Sequence, residues 1–431
     1  MSSSVTVPTL FRGVRVFDGR SPELSPGSDV LVRGSTIESI STQPIELDPH
    51  EPHTEIDGGG RVLMPGLIDA HWHALLASMP LNAMMTADLG YLNLLAGEQA
   101  SRTLYRGFTS VRDAGGPVFG LKRAIDDGTV VGPRIYPSGA FISQTSGHGD
   151  FRMPYQVPRG ICGHLSHLEI MGLSTIADGT DEVLRAVREQ LMLGATQIKM
   201  MAGGGVSSPY DPVDVTQYTE AELRAGVEAA ANWGTYVLVH AFTPHAVQQA
   251  LRAGVRSIEH GFLLDDATAE MIAEHDAWWC LQPMLGDEDA ITFTEPVKQA
   301  KMAKVIAGTD RAYELAKKHG VNLAWGTDTL FDTRLADRQG AQLAKMSRWF
   351  TPAQVLKMAT SDNAALCAMS GARDPYPGAL GVVEEGAVAD LLLVDGNPLD
   401  DLQLLADPDR SLVVIMKNGT IYKQLTGESR R

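Results

Sequence analysis

The chain has 431 residues, 44% of them hydrophobic and 20% charged, a balance that supports a sizeable packed core and excludes a disordered polypeptide. Its formal net charge is −16, with Lys and Arg scattered through helical stretches, which excludes a surface built for nucleic acid or anionic membrane. Cys162, Cys280 and Cys367 are far apart and form no CxxC pair, so neither a disulfide framework nor a zinc knuckle is supported, and a reducing cytoplasm fits best.

The N-terminal "MSSSVTVPTLFRGVRVF" has no basic region followed by an apolar one, and no uncharged stretch reaches the roughly 18 residues of a membrane span. Residues 9–45 alternate apolar and polar positions between Gly, Pro and Ser turns, as short antiparallel strands do. The same texture returns in "ADLLLVDGNP" (389–398) and "LVVIMKNGTIYK" (412–423), which suggests that both termini pair into one small sheet domain. Between these ends, eight short apolar segments read as strands: 66–71, 108–113, 134–140, 196–201, 235–240, 256–260, 277–283 and 321–326. They alternate with helical patterns such as 181–195 and 219–234. Eight strand–helix units are the number that closes a parallel barrel of about 250 residues. The expected architecture is α/β: a (β/α)8 TIM-like barrel over 66–370, with a small β-sandwich domain composed of 1–65 and 371–431.

Chemistry in such barrels sits at the C-terminal ends of the strands. Those ends carry His71 and His73 in "MPGLIDAHWHALL", Lys199 in "TQIKMMAGGG", His240 in "YVLVHAF", His260 in "SIEHG" and Asp328 in "LAWGTD". Taken singly, a histidine there is more often a hydrogen-bonded structural residue, Lys199 a solvated lysine and Asp328 a helix cap. Five strands of eight with a candidate at the same end is a coincidence that structural roles do not produce. Imidazole nitrogen and carboxylate oxygen are donors that zinc prefers. Lysine is the exception, because an ammonium cannot coordinate a cation until its amine is consumed, for example by carbon dioxide.

In order along the chain, "PGLIDAHWH", "IKMMAGGG", "VHA", "IEHG" and "GTD" resemble the successive metal-binding segments of the amidohydrolase superfamily, and the resemblance extends to the late "GAVADLLLVDGNPL". More narrowly, "GFTSVRDAGG", "SQTSGHGD", "HAFTPHA" and "IEHGFLLDD" are similar to its zinc-dependent prolidase and carboxypeptidase branch, near ochratoxin-cleaving amidases and phenylurea or carbamate hydrolases. The resemblance implies two divalent ions, zinc by preference. One would be held by His71, His73 and Asp328 and the other by His240 and His260, with a carboxylated (carbamylated) Lys199 bridging them. It implies hydrolysis of an amide-type C–N bond by an activated water, with Asp328 relaying the proton. His148 of "GHGD" would face the developing oxyanion, a contact worth about 3 kcal/mol; without the resemblance it would read as a loop histidine.

Phe242 in "HAFTPHA" stands where relatives in that branch carry a tyrosine that holds the substrate α-carboxylate, and a lost donor to a charged group costs about 1.5–3 kcal/mol. Either His245 or an arginine such as Arg152 takes over, or the substrate is a neutral amide, anilide, urea or carbamate. The segment 282–299 after the seventh strand, with Met284, Leu285, Ile291 and Phe293, is expected to shape the leaving-group pocket. Met79, Met84 and Met85 would either line an adaptable apolar pocket or pack in the core. "MAGGGVSS" lacks the endings and spacing of a phosphate loop, so a nucleotide is not expected. The expected partner is a small, largely apolar substrate, and the expected assembly a homo-oligomer, by analogy. A non-catalytic assembly protein would show an empty metal site, and a one-ion deaminase an unmodified Lys199.

Overall fold

The computed structural model describes residues 7–153, 155–425 and 429–430. Eight parallel strands form the barrel: β1 Leu67–Trp72, β2 Phe108–Asp113, β3 Arg134–Pro137, β4 Ile198–Met201, β5 Val237–Ala241, β6 Ser257–His260, β7 Trp278–Leu281 and β8 Asn322–Trp325. β1 to β3 make one ladder and β4 to β8 another. Single bonds close the two seams: the Asp328 amide donates to the His71 carbonyl at 2.8 Å, and the Thr196 amide to the Pro137 carbonyl at 2.8 Å. Gln197 Nε2 reinforces the second seam by donating to the Tyr136 carbonyl at 2.8 Å.

The third strand is shorter than the expected 134–140. The backbone leaves the extended region at Gly139, whose φ is +73°, and resumes as Phe141–Ser143, which pairs with β4 and with an unanticipated strand, Ser174–Ile176. The helix Glu220–Ala231 falls within its expected stretch, and Thr180–Leu193 starts one residue before its own and ends two residues short of it. Val183, Ala186, Val187 and Leu191 recur at the spacing of one helical face and are buried in the main core, where each large aliphatic side chain contributes about 1.5–3 kcal/mol. A capping box between Thr219 and Glu222 starts the second helix.

Both chain ends build the second unit. Thr9–Val16 pairs with Ser28–Arg33 in antiparallel fashion, then with Thr54–Asp57 through residues 9–12 and with Val62–Pro65 from Arg15 onward, so it joins two layers. Leu391–Val394 pairs with Val62–Pro65 and with Leu412–Lys417. The segment 412–423 is a hairpin, Leu412–Lys417 and Thr420–Gln424, that turns at Asn418 and Gly419, both at positive φ. Phe11, Val30, Ile56, Leu63, Leu393 and Val414 fill its core. The buried pair Arg134–Asp390 ties this unit to the base of the barrel. Among the described residues no helix is long and apolar enough to cross a membrane.

Candidate metal centre

His71, His73, Lys199, His240, His260 and Asp328 are all buried and line one cleft at the C-terminal mouth of the barrel. Asp328 Oδ1 lies 3.4 Å from His71 Nε2 and 3.3 Å from His73 Nε2. The His71 ring centroid is 5.2 Å from that of His73 and 5.0 Å from that of His260, and the His240 and His260 centroids are 4.7 Å apart. His71, His260 and Asp328 each offer an atom within 4.8 Å of the others.

Each ring has one nitrogen committed outside the centre. His71 Nδ1 donates to Glu259 Oε2 at 2.6 Å, His73 Nδ1 to the Gly115 carbonyl at 3.2 Å, His260 Nδ1 to Gln282 Oε1 at 2.7 Å and His240 Nε2 to the Gly204 carbonyl at 3.1 Å. Such bonds select the tautomer whose free lone pair faces the centre, which is how outer partners orient metal ligands. Burial drives the His71 ring down to about 3 and the His260 ring to about 4, and it holds His240 well below its usual range. The His71, His240 and His260 rings are therefore neutral, the form that binds a cation.

Lys199 is an orphan. It is buried, and among the described residues it has no ion-pair or hydrogen-bond partner. Burial lowers the pKa of its amine, against the opposing charges of Glu259 and Asp328. The neutral amine is the form that reacts with carbon dioxide, and the resulting carbamate would supply a second anion beside Asp328 among these imidazoles.

His260 and Asp328 adopt left-handed backbone, with φ of +73° and +47°, at a cost on the order of 1 kcal/mol or more each. Trp279 Nε1 donates to the His260 carbonyl at 2.8 Å and holds that turn. The turn also lets consecutive residues, Glu259 and His260, both face the barrel interior, which strand alternation forbids. Under the site, Glu259 receives Arg112 Nη2 at 2.8 and 2.9 Å, and Arg112 Nε donates to the Ala70 carbonyl at 2.6 Å. His71, Glu259 and Cys280 also cluster, but Arg112 neutralises Glu259, so a second cation has no place there. Asp69 anchors the seam by accepting from Thr327 Oγ1 at 2.6 Å, Gln339 Nε2 at 2.7 Å and the His71 amide at 3.0 Å.

Glu259, Arg112, Asp69 and Gln282 escaped the sequence reading. Asp69 had a signal, since it stands two residues before His71 on the same strand face. Glu259 sat within "IEHG" but on the face that alternation assigns outward. Arg112 and Gln282 had none.

The cleft above the centre encloses about 760 Å³, counting its open mouth. Phe141, Phe151, Phe242, Phe262, Phe293 and Met284 are among its walls, and His148 is on its rim with its ring stacked 4.1 Å from that of His240. Other candidates lie elsewhere. His245 is exposed on the first turn of the helix Pro244–Ala253 and shares a 2.9 Å bond with Thr216 Oγ1. Leu285 lines a smaller neighbouring hollow with Pro283 and Leu335. Arg152 is turned onto Asp150, which it meets through Nε at 2.8 Å. Met79 and Met84 pack in the core with Met85 against them.

Residues 62–423 match the model of the amidohydrolase family. Ochratoxinase of Aspergillus niger is 34% identical over 373 residues, spanning 84% of this chain and 76% of the fungal protein. A solved amidohydrolase structure superposes with a TM-score of 0.86 at 39% identity, covering 97% of this chain and 99% of that one. A prolidase solved with N-methylphosphonate-L-proline superposes with a TM-score of 0.88 at 35% identity, covering 97% and 100%.

Proposed function

This chain belongs to the amidohydrolase family, hydrolases of C–N bonds, and on that premise we propose that it is a two-metal enzyme cleaving the amide bond of a largely apolar small molecule. The convergence of His71, His73, Lys199, His240, His260 and Asp328 on one cleft carries this reading. His71, His73 and Asp328 would hold one divalent ion, His240 and His260 the other, and carboxylated Lys199 would bridge them. The donor set fits zinc: neutral imidazoles with their outer nitrogens committed, a carboxylate, and an amine awaiting conversion to a second anion. When bound, the ions supply Lewis-acid polarisation of the carbonyl and make a water acidic enough to ionise near neutral pH.

The remaining roles fall to side chains. Asp328 takes the proton of the attacking water on its carboxylate and passes it to the departing nitrogen. His148, on the cleft rim, donates to the oxygen that gains charge, a contact worth about 3 kcal/mol. The aromatic walls exclude water and bury the apolar part of the substrate.

A second reading concerns the substrate. Phe242 has no hydroxyl, Arg152 and His245 are engaged elsewhere, and among the described residues no arginine lines the cleft. This favours neutral amides, anilides, phenylureas or carbamates over N-acyl amino acids.

The test is a substrate screen of the zinc-loaded protein, pairing N-acyl amino acids and dipeptides with the matching neutral amides, anilides, phenylureas and carbamates. Turnover lost on chelation and regained at two zinc ions per chain is the expected result. Equal activity in the metal-free protein would overturn the metal role, and faster turnover of the free acids would overturn the neutral-substrate reading.

A further inference from the structure

Asp211 had no part in the sequence reading, yet it is buried beside the catalytic cleft and its carboxylate collects three donors. It accepts from His148 Nδ1 at 2.8 Å, from the Gly205 amide at 2.6 Å and from Ser208 Oγ at 2.6 Å. Among the described residues His148 is the only basic side chain within ion-pair distance of it. A buried carboxylate is costly to keep unless a charge or strong donors meet it.

Away from the cleft, the ring it holds is fixed by other neighbours as well. His148 lies parallel to His240, at 11°. Its own amide donates to Gln217 Oε1 at 2.6 Å. Gly205 closes over it so tightly that a Cβ there would stand 2.1 Å from ring atoms. Lys301, on the helix Pro296–His319, straps the segment carrying Gly205, Ser208 and Asp211 through the carbonyls of those three residues at 3.0, 3.3 and 2.7 Å.

We propose that Asp211 is a positioning residue that acts through His148: by occupying Nδ1 it leaves Nε2 as the edge facing the cleft and keeps the ring aimed at the reacting carbonyl. This rests on the hydrolytic reading of the site. Asp211 Oδ2 and Ser208 Oγ, itself bonded to Asp211 Oδ1, both stand 2.8 Å from Nδ1, so that nitrogen is tied to the Asp211 loop and Nε2 is the one left to meet the oxyanion. Catalysis would then depend on Asp211 without any contact between Asp211 and substrate.

The experiment is a double-mutant cycle on the zinc-loaded full chain with Asp211→Asn, His148→Ala and the double variant, measured on the best substrate of the screen. Asp211→Asn is expected to lower kcat about 100-fold, the usual loss for an oxyanion donor, with KM changed less than about twofold and zinc content unchanged. In the His148→Ala background the same change should add nothing. A further loss in that background, or parallel changes in KM and zinc content, would show a merely structural role and overturn the proposal. A substrate-free readout separates its failure from failure of the hydrolytic reading: nitrogen NMR of 15N-histidine-labelled zinc protein, with the His148 signals assigned by their loss in His148→Ala. A shift of the Nδ1 and Nε2 signals of this ring in Asp211→Asn supports the positioning role even if no compound is turned over. Unchanged signals refute it.

Discussion

Replacing Glu259 by Gln removes what is, among the described residues, the only anion in an ion pair with Arg112, while keeping nearly the same shape. Both side chains are buried, and Glu259 also accepts from Ser257 Oγ at 2.6 Å and from His71 Nδ1 at 2.6 Å. Burial works against its charge, yet Arg112 and His71 outweigh that and hold the carboxyl well below the usual glutamate range. After the substitution the guanidinium keeps the Ala70 carbonyl, Tyr236 hydroxyl and Ser257 hydroxyl but is a buried, uncompensated cation. Losing one partner of such a pair costs about 3–5 kcal/mol, and Gln retains one acceptor, so the lower end is expected. That is a large share of the 5–15 kcal/mol or so that holds a domain folded.

Urea unfolding of the chelator-treated protein at neutral pH, with an unchanged m-value, measures this without the contribution of bound zinc. Zinc affinity should fall about 10–100-fold in parallel, because His71 loses the partner that orients it. The double change Arg112→Met with Glu259→Gln should recover most of the stability, since no buried charge is left unpaired. Because the folded carboxyl is held low, its stabilisation is complete above the ordinary glutamate range and is lost as pH falls below it, so the gap between wild type and Glu259→Gln should narrow on acidification. A metal-free Glu259→Gln protein within 1 kcal/mol or so of wild type would refute the reasoning about the buried pair.

Lys199→Ala should abolish turnover and lower zinc content, with partial recovery on adding propionate, whose carboxylate would stand in for the carbamate; unchanged turnover rules out the bridge. Phe242→Tyr restores a hydroxyl to the cleft wall and should raise kcat/KM about 10-fold or more for free-carboxylate substrates relative to their amides, read from paired assays; an unaltered ratio discards the carboxylate assignment. Lys417, buried in the terminal sheet, has its pKa pushed down to about 8, first by burial and then by Arg134. The unfolded chain therefore holds the extra proton between about pH 8 and 10.5, and stability should rise with pH across that window. Lys417→Met should remove this rise and stabilise the fold by about 1–2 kcal/mol at pH 7, after allowing for the Gly132 carbonyl left unpaired. Urea unfolding at pH 7 and 9.5 checks it, and a destabilised variant at pH 7 would contradict it.

The barrel, and the gathering of six side chains in one cleft at its mouth, were legible in the chain because both are local signals in a repeating frame. Short apolar runs between amphipathic helices announce parallel strands, and a strand end is a position that sequence can mark. His71 and His73 show this best, two apart at the end of one strand and both lining the cleft. Residues that act through another side chain carry no such mark. Asp211 reaches His148 across 63 positions, and Arg112 reaches Glu259 across 147; no pattern within a window of the sequence links them. Glu259 was hidden by a rule that holds for regular strands and fails where the left-handed turn at His260 reverses the next side chain. His245 shows the opposite error, since its place near a ligand in sequence became the outer face of a helix once the chain turned at Thr243. Alternation and spacing thus determined which residues end each strand. Closure of the sheet decided which distant charges meet, because a buried charge is stable only where the folded chain brings it a partner.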